Sequence, residues 1–328
     1  MNVSKKQMIQ EKNKQRVVAI DILKVFAVLL VLNSHMTICY PKYQILSTGG
    51  AFGDALFFFC SGYTLYRGRL DSFGNWYKRR IARIFPSLFV VALFAAVFFH
   101  QQIDILDVVL GRQYWFVQAI FIYYILLYPI RKYFHHLRSI FYGAIFLLVC
   151  IYYIFFDFND QGFIYSGLVF RFFLFFIFML QGAMLGKIER LPTFGYYHIL
   201  LLLLSTAGWF VIMYKWGNSS LQIISLIPLL GFTHSLLMVS NAPVFHKVYN
   251  QRTLGNVLFI MGSLCLEVYL VQRYLFTDSL NLLFPLNIPI IMAGIFFVSY
   301  ALNFLSKLFL QTFRKEPYHY KEMLLYKK

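Results

Sequence analysis

The chain has 328 residues, 60% of them apolar, 20% aromatic and only 13% charged, with a mean hydropathy of +0.64. Soluble domains run at about 45–50% apolar and about 25% charged, so this composition excludes a water-facing globule and implies an integral membrane protein. The net charge of +17 would raise nucleic acid as a partner in a soluble chain, but cytoplasmic loops of membrane proteins also collect Lys and Arg.

A hydrocarbon core of about 30 Å takes about 20 apolar helical residues. In chain order, the apolar stretches predict ten membrane helices, at 17–39, 48–66, 83–100, 114–130, 139–156, 164–186, 197–214, 220–240, 255–275 and 287–310. A basic tail, 1–16, precedes them. The first stretch is long and lacks a small-residue cleavage site, so it reads as a span and not as a cleavable signal. Residues 311–328 form a second basic tail, expected at the cytoplasmic membrane face from about Ser306 onward. The fold class is therefore all-α and polytopic, with 17–310 as one ten-helix domain. No strand, repeat or separate soluble domain is predicted.

The cations fix an orientation. With the N-terminus in the cytoplasm, Lys5 to Arg16, the group from Arg67 to Arg83, Arg131 to Arg138, Lys187 with Arg190, Lys247 with Arg252, and the six from Lys307 to Lys328 all fall inside. Outside are Lys42, Arg112, Lys215 and Arg273, one per loop, and only Lys24 and Arg171 fall within spans. Ten spans with both termini inside satisfy the positive-inside rule throughout. The basic charge is thus mostly topology, and no nucleic-acid partner is expected.

Ionisable groups within spans are costly unless paired or hydrated, and each is a functional candidate. The first span carries Asp21, Lys24 and His35. Eleven residues at 100° each place Lys24 and His35 on one side, roughly 16 Å apart along the axis. Asp21 and Lys24 are spaced to pair, which is compatible with a plain interfacial ion pair. His35 suits either a packing hydrogen bond or a general base, its ordinary pKa lying near neutrality. In the second span Gly49, Gly50 and Gly53 permit close backbone approach, Asp54 stands near an outer helix start, and Ser61-Gly62 is a small-residue contact. Arg80 and Arg83, three apart on the first turn of the third span, suit a phosphate or serve as a positive-inside anchor. Trp115 opens the fourth span. Arg171 and Glu267 lie inside the sixth and ninth; Arg171 needs a partner, and Asp54 and Glu267 are both candidates for it. Four isolated cysteines (Cys39, Cys60, Cys150 and Cys265) offer neither a disulfide framework nor a metal site.

These residues, in this order, resemble the acyltransferase-3 family of membrane acyltransferases, over almost the whole chain. The family's basic residue, ten-residue spacer and His match Lys24 and His35. Its phenylalanine-rich block ending in Ser-Gly-aromatic matches Phe58 to Tyr63, its R-x-x-R pair matches Arg80 and Arg83, and its tryptophan matches Trp115. Its late E-x-Y-L block matches Glu267 to Leu270, including Tyr269, with Ser263 four residues before the glutamate. Two positions depart. Lys24 stands where arginine is usual, keeping the charge but not the bidentate fork, and Gln272 stands where the late block often has histidine.

The resemblance implies an O-acyltransferase of the bacterial cytoplasmic membrane that uses acyl-CoA, most simply acetyl-CoA, as donor substrate. The acceptor would be a carbohydrate of a surface or lipid-linked polysaccharide. It implies Lys24 and His35 as catalytic residues, Arg80 and Arg83 as donor-binding residues, and Asp21, Asp54, Ser61, Trp115, Arg171, Glu267 and Tyr269 as supporting or pore-lining residues. No metal is expected, and membrane lipids are the other partners. The short chain beyond the tenth span resembles a stand-alone member. A polysaccharide exporter would share the spans and buried charges, but no inverted repeat or paired helix break is legible. A glycan polymerase or ligase would use larger outer loops.

Overall fold

The computed structural model describes residues 17–155, 164–165, 167–313 and 317–327. Fourteen α-helices are found among them, and no strand: α1 Val18–Ser34, α2 Gly50–Arg67, α3 Phe73–Phe99, α4 Ile105–Leu110, α5 Trp115–Tyr133, α6 Leu137–Phe155, α7 Leu168–Lys187, α8 Tyr197–Trp216, α9 Leu226–Ser240, α10 Pro243–Asn250, α11 Arg252–Ser263, α12 Cys265–Leu275, α13 Asn287–Thr312 and α14 Tyr320–Met323.

Seven helices among the described residues are long and apolar enough to cross a membrane, and the pair α11 and α12 makes an eighth if counted as one bent span. The chain is a polytopic helical membrane protein. Of the ten expected spans, the first and fourth fall short by that measure. Helix α1 has 17 residues, and α5 ends in Arg131 and Lys132.

Several expected boundaries move. Helix α1 stops at Ser34, so His35 opens a loop instead of lying within a span that runs to residue 39. Asn33, Ser34 and Thr37 there compete for backbone groups, as short polar side chains do. Helix α3 begins ten residues early, at Phe73, so Arg80 and Arg83 lie beyond its first turn. Helix α7 begins at Leu168, which puts Arg171 in its first turn instead of well inside the sixth span. The ninth span is broken at Leu264, where α11 and α12 meet at 74°. Unpaired backbone is expensive in lipid. The break is partly satisfied by the Cys265 thiol, which donates to the Gly262 carbonyl at 3.3 Å.

The chain divides into two compact units. The first comprises residues up to Leu23, Ala55–Leu70 and Pro129–Asn250. In it α2 and α7 meet backbone to backbone. A Cβ on Gly62 would lie 1.9 Å from the Met179 carbonyl oxygen, and one on Gly182 would lie 1.9 Å from that of Phe59. This is small-residue packing, the contact that association in lipid relies on. Across α7 and α9, Thr233 donates to Gln181 Oε1 at 2.8 Å.

The second unit comprises Lys24–Asp54, Asp71–Tyr128 and Gln251–Lys328. Here α3, α12 and α13 form the core. Val31 and the Ala27 carbonyl leave no room for a side chain at Gly53, so α1 and α2 also pack closely. The described part of the C-terminal tail folds back within this unit: Met323 is buried and its carbonyl accepts from Lys307 Nζ at 3.0 Å.

The two glycine contacts make a direct prediction. Gly62→Ala and Gly182→Ala should each lower stability by about 1–3 kcal/mol, the usual cost of overpacking. Gly143→Ala on α6, where a Cβ meets nothing within 4 Å, should leave it unchanged or raised. Thermal unfolding in detergent reads all three, and equal melting temperatures would refute the backbone contact.

Candidate functional site

The second unit gathers most of the sequence-predicted residues. Glu267 sits in the first turn of α12, just past the break, where the helix dipole favours an anion. It is buried, and its Oε1 accepts from Ser87 Oγ on α3 at 2.8 Å and from Asn303 Nδ2 on α13 at 2.9 Å. One carboxylate oxygen thus ties three helices. Cys265, two residues earlier, donates to the Lys24 carbonyl at 3.6 Å. The charges of Lys24, Arg83 and Glu267 all bear on its thiol, and Lys307 feels Glu267 as well. Three helices therefore bring Lys24, Arg83 and Glu267 into one electrostatic neighbourhood.

Arg80 and Arg83 differ in setting. Arg83 is exposed. Arg80 is half-buried, its guanidinium carbon 5.4 Å from the centroid of the fully buried Trp76 ring. Trp76 packs against Tyr124 at 6.0 Å and Tyr128 at 5.5 Å. Two donors in this layer, Trp76 Nε1 and Arg80 Nε, are buried with no acceptor among the described residues. An unmet buried donor costs about 1–3 kcal/mol. Both requirements end if an anion accepts from them. The ion pair of Arg79 with Asp71 leaves Arg80 and Arg83 as the cations facing that task.

At the other end of α1, His35 is exposed, and its imidazole makes no hydrogen bond among the described residues. The backbone around it is pinned. Asn33 Nδ2 donates to the Leu46 and Thr48 carbonyls at 2.7 and 2.9 Å, and Tyr40 donates to Asn33 Oδ1 at 2.6 Å. Ser47 Oγ lies 3.1 Å from the Ser34 carbonyl. From α13, Asn287 Nδ2 donates to the Cys39 carbonyl at 2.7 Å. The ring is left open on a fixed loop.

Trp115 opens α5 as expected. Its neighbour Phe116 lies 5.2 Å from Tyr269, and Tyr114 donates to the Leu270 carbonyl at 3.0 Å. Asp54 is half-buried on α2. Gln272 is buried with its Oε1 unpartnered. The remaining three belong to the first unit. Asp21 is buried and accepts from the Tyr249 hydroxyl at 2.7 Å, a partner the i, i+3 reading did not foresee. Ser61 is half-buried beside the Gly62 contact, and Arg171 is half-buried on α7. Sequence reasoning missed Trp76, Ser87 and Asn303. The tryptophan was legible in NWYKRR, whereas Ser87 and Asn303 carry no local signal. Among the described residues no group of three or more His, Cys, Asp or Glu is placed to hold a metal ion.

A family profile described as an acyltransferase domain matches residues 17–304. The match runs from the start of α1 into α13 and takes in most of the chain. The chain belongs to the acyltransferase-3 family. No curated protein and no solved structure matches it.

The Glu267 node is testable by stability. Glu267→Leu strands Ser87 Oγ and Asn303 Nδ2 and should cost about 1–3 kcal/mol for each. Glu267→Gln retains an acceptor oxygen and should cost distinctly less. Melting temperatures that fall equally for both would show that the hydrogen bonds are not what holds the three helices.

Proposed function

We propose that the protein is a ten-span O-acyltransferase of the bacterial cytoplasmic membrane with both termini inside. It transfers an acyl group, most simply acetyl, from cytoplasmic acyl-CoA to a hydroxyl of a surface or lipid-linked polysaccharide. The observation that carries this reading is the pair of buried, unmatched donors, Trp76 Nε1 and Arg80 Nε, beside Arg83. Such a layer fits a phosphate and does not fit an apolar or cationic ligand. The donor's phosphates would lie on Arg80 and Arg83, and its extended arm would follow α1 past Lys24 toward His35, roughly 16 Å along the axis.

At His35 the neutral imidazole accepts the proton of the acceptor hydroxyl as its oxygen attacks the thioester carbonyl. The tetrahedral intermediate collapses with cleavage of the carbon–sulfur bond. The imidazolium then returns the proton to the departing thiolate, leaving an ester and free CoA. A transient acyl-histidine would divide the same transfer into two steps. The exposed ring and its pinned loop suit either course. Lys24 adds positive charge along the arm's path, and Glu267 holds that region's helices together.

Membranes containing the protein, given radiolabelled acetyl-CoA, should move label into the glycan fraction. His35→Ala should abolish this while the protein remains folded, and substantial retained transfer would remove His35 from the mechanism. Trp76→Phe keeps the ring and loses the donor. With Arg80→Ala, it should raise the KM for acetyl-CoA by about three- to tenfold per lost hydrogen bond. Desolvation holds the His35 imidazole below the ordinary histidine value of about 6.5, so the rate should rise with pH on the acid side of that value, as the base deprotonates, and level off by neutrality. A flat profile would argue against general-base action.

A further inference from the structure

A partly open cleft lies at the end of α3 opposite Arg80 and Arg83, with Leu88, Ala92 and Ala95 as its apolar floor. At 1.5 Å per residue along α3, Arg80 lies roughly 12 Å from Leu88 and roughly 22 Å from Ala95, so the cleft and the arginine layer occupy different stretches of the helix. Around the rim stand Gln101, Gln102 and Gln113, whose carboxamides are exposed and make no hydrogen bond among the described residues. Two carboxylates complete it. Asp107 Oδ1 accepts from Arg112 at 3.0 Å and Asp104 Oδ1 accepts from the Leu106 amide at 2.8 Å. Each is thereby oriented, with its second oxygen left over.

We propose that this cleft binds a neutral sugar ring of the acceptor, bearing adjacent free hydroxyls. The inference rests on the glycan-acylating reading above and supplies it with an acceptor subsite. Three lines of chemistry converge. Carboxamides and carboxylates at a rim meet the paired donors and acceptors of vicinal hydroxyls, while an apolar floor suits the C–H face of a pyranose. The charged residues lining the cleft are two aspartates, of which Asp107 is paired with Arg112, and no cation among the described residues lines it to receive a phosphate. The wall also adjoins matched family residues. Tyr114 lines the cleft, precedes Trp115 and lies 6.0 Å from Tyr269. Donor phosphates and acceptor sugar would thus engage opposite ends of one helix.

The test uses the full-length protein in lipid nanodiscs, with methyl β-glucopyranoside and methyl β-galactopyranoside as probes in saturation-transfer difference NMR. Ring protons of at least one glycoside should receive saturation from the wild type. Gln101→Leu and Gln113→Leu, at exposed positions that do not threaten folding, should weaken that transfer by about three- to tenfold. Arg80→Ala should leave it intact. No transfer from the wild type to either probe, or transfer unaltered in both glutamine variants, overturns the cleft. Acyl transfer is read separately with radiolabelled acetyl-CoA. Label incorporation whose acceptor dependence ignores both variants removes the cleft and leaves the glycan reading standing. Glycoside binding at the cleft without any label transfer supports the cleft as a sugar site and removes that reading.

Discussion

A carboxylate inside an apolar helix bundle needs hydrogen-bond donors and nearby cations, and Glu267 has both by drawing in residues remote in sequence. Ser87 reaches it from α3 and Asn303 from α13. Once those bonds form, α3 has a set rotation about its axis, and that rotation also decides where Arg80 and Arg83 point. The same constraint accounts for the break at Leu264. A continuous helix through residues 255–275 would bury Glu267 mid-span, far from any helix terminus. Breaking at Leu264 gives the carboxylate the N-terminal turn of α12.

Several cations that topology alone would explain also have structural work. Arg131 donates from Nη1 to the Leu65 carbonyl at 2.7 Å and from Nη2 to that of Gly68 at 2.5 Å, closing the C-terminal end of α2. Arg67 meets the Ile188 carbonyl at 3.1 Å and Lys187 that of His135 at 2.8 Å. Helix ends in a membrane protein present carbonyls that need donors, and basic residues at one face supply them. The cations free of such duty are then the more informative. Arg80 keeps a buried Nε with no acceptor among the described residues, in contrast to Arg131, whose two terminal nitrogens each meet a carbonyl.

What could be read from the sequence follows from the range of each signal. Apolar length is local, so most helices were legible to within a few residues, including α2, α6, α8 and α13. Candidate residues on α1, α3 and α12 were legible too, because an ionisable group in an apolar run stands out without any knowledge of its partners. Boundaries set by competition were not. The end of α1 at Ser34 depends on Asn33 bonding the carbonyls of Leu46 and Thr48, and no window around Asn33 contains those groups. The early start of α3 was hidden because NWYKRR reads as a polar loop, whereas its Trp76 is buried among Tyr124 and Tyr128. The break at Leu264 has no proline to announce it. Its cause is a polar requirement met from other helices.

The placement of polar groups along α3 gives the second unit a direction. One end presents cations and unmatched N–H donors over an aromatic layer, and the other presents carboxamides and carboxylates over alanines and a leucine. The stretch between holds Ser87, committed to Glu267, so it is sealed by a bond and not by apolar packing alone. On the two proposals above, an anionic ligand and a neutral polyhydroxyl ligand would engage different ends of α3. A group that reacts between them must be reachable by both, and that favours an uncommitted side chain on a fixed loop over one locked within the bundle. Glu267 is excluded by its hydrogen bonds to Ser87 and Asn303. His35, whose loop is held by Asn33, Tyr40, Ser47 and Asn287 while its own ring makes no hydrogen bond among the described residues, is the side chain we propose for that place.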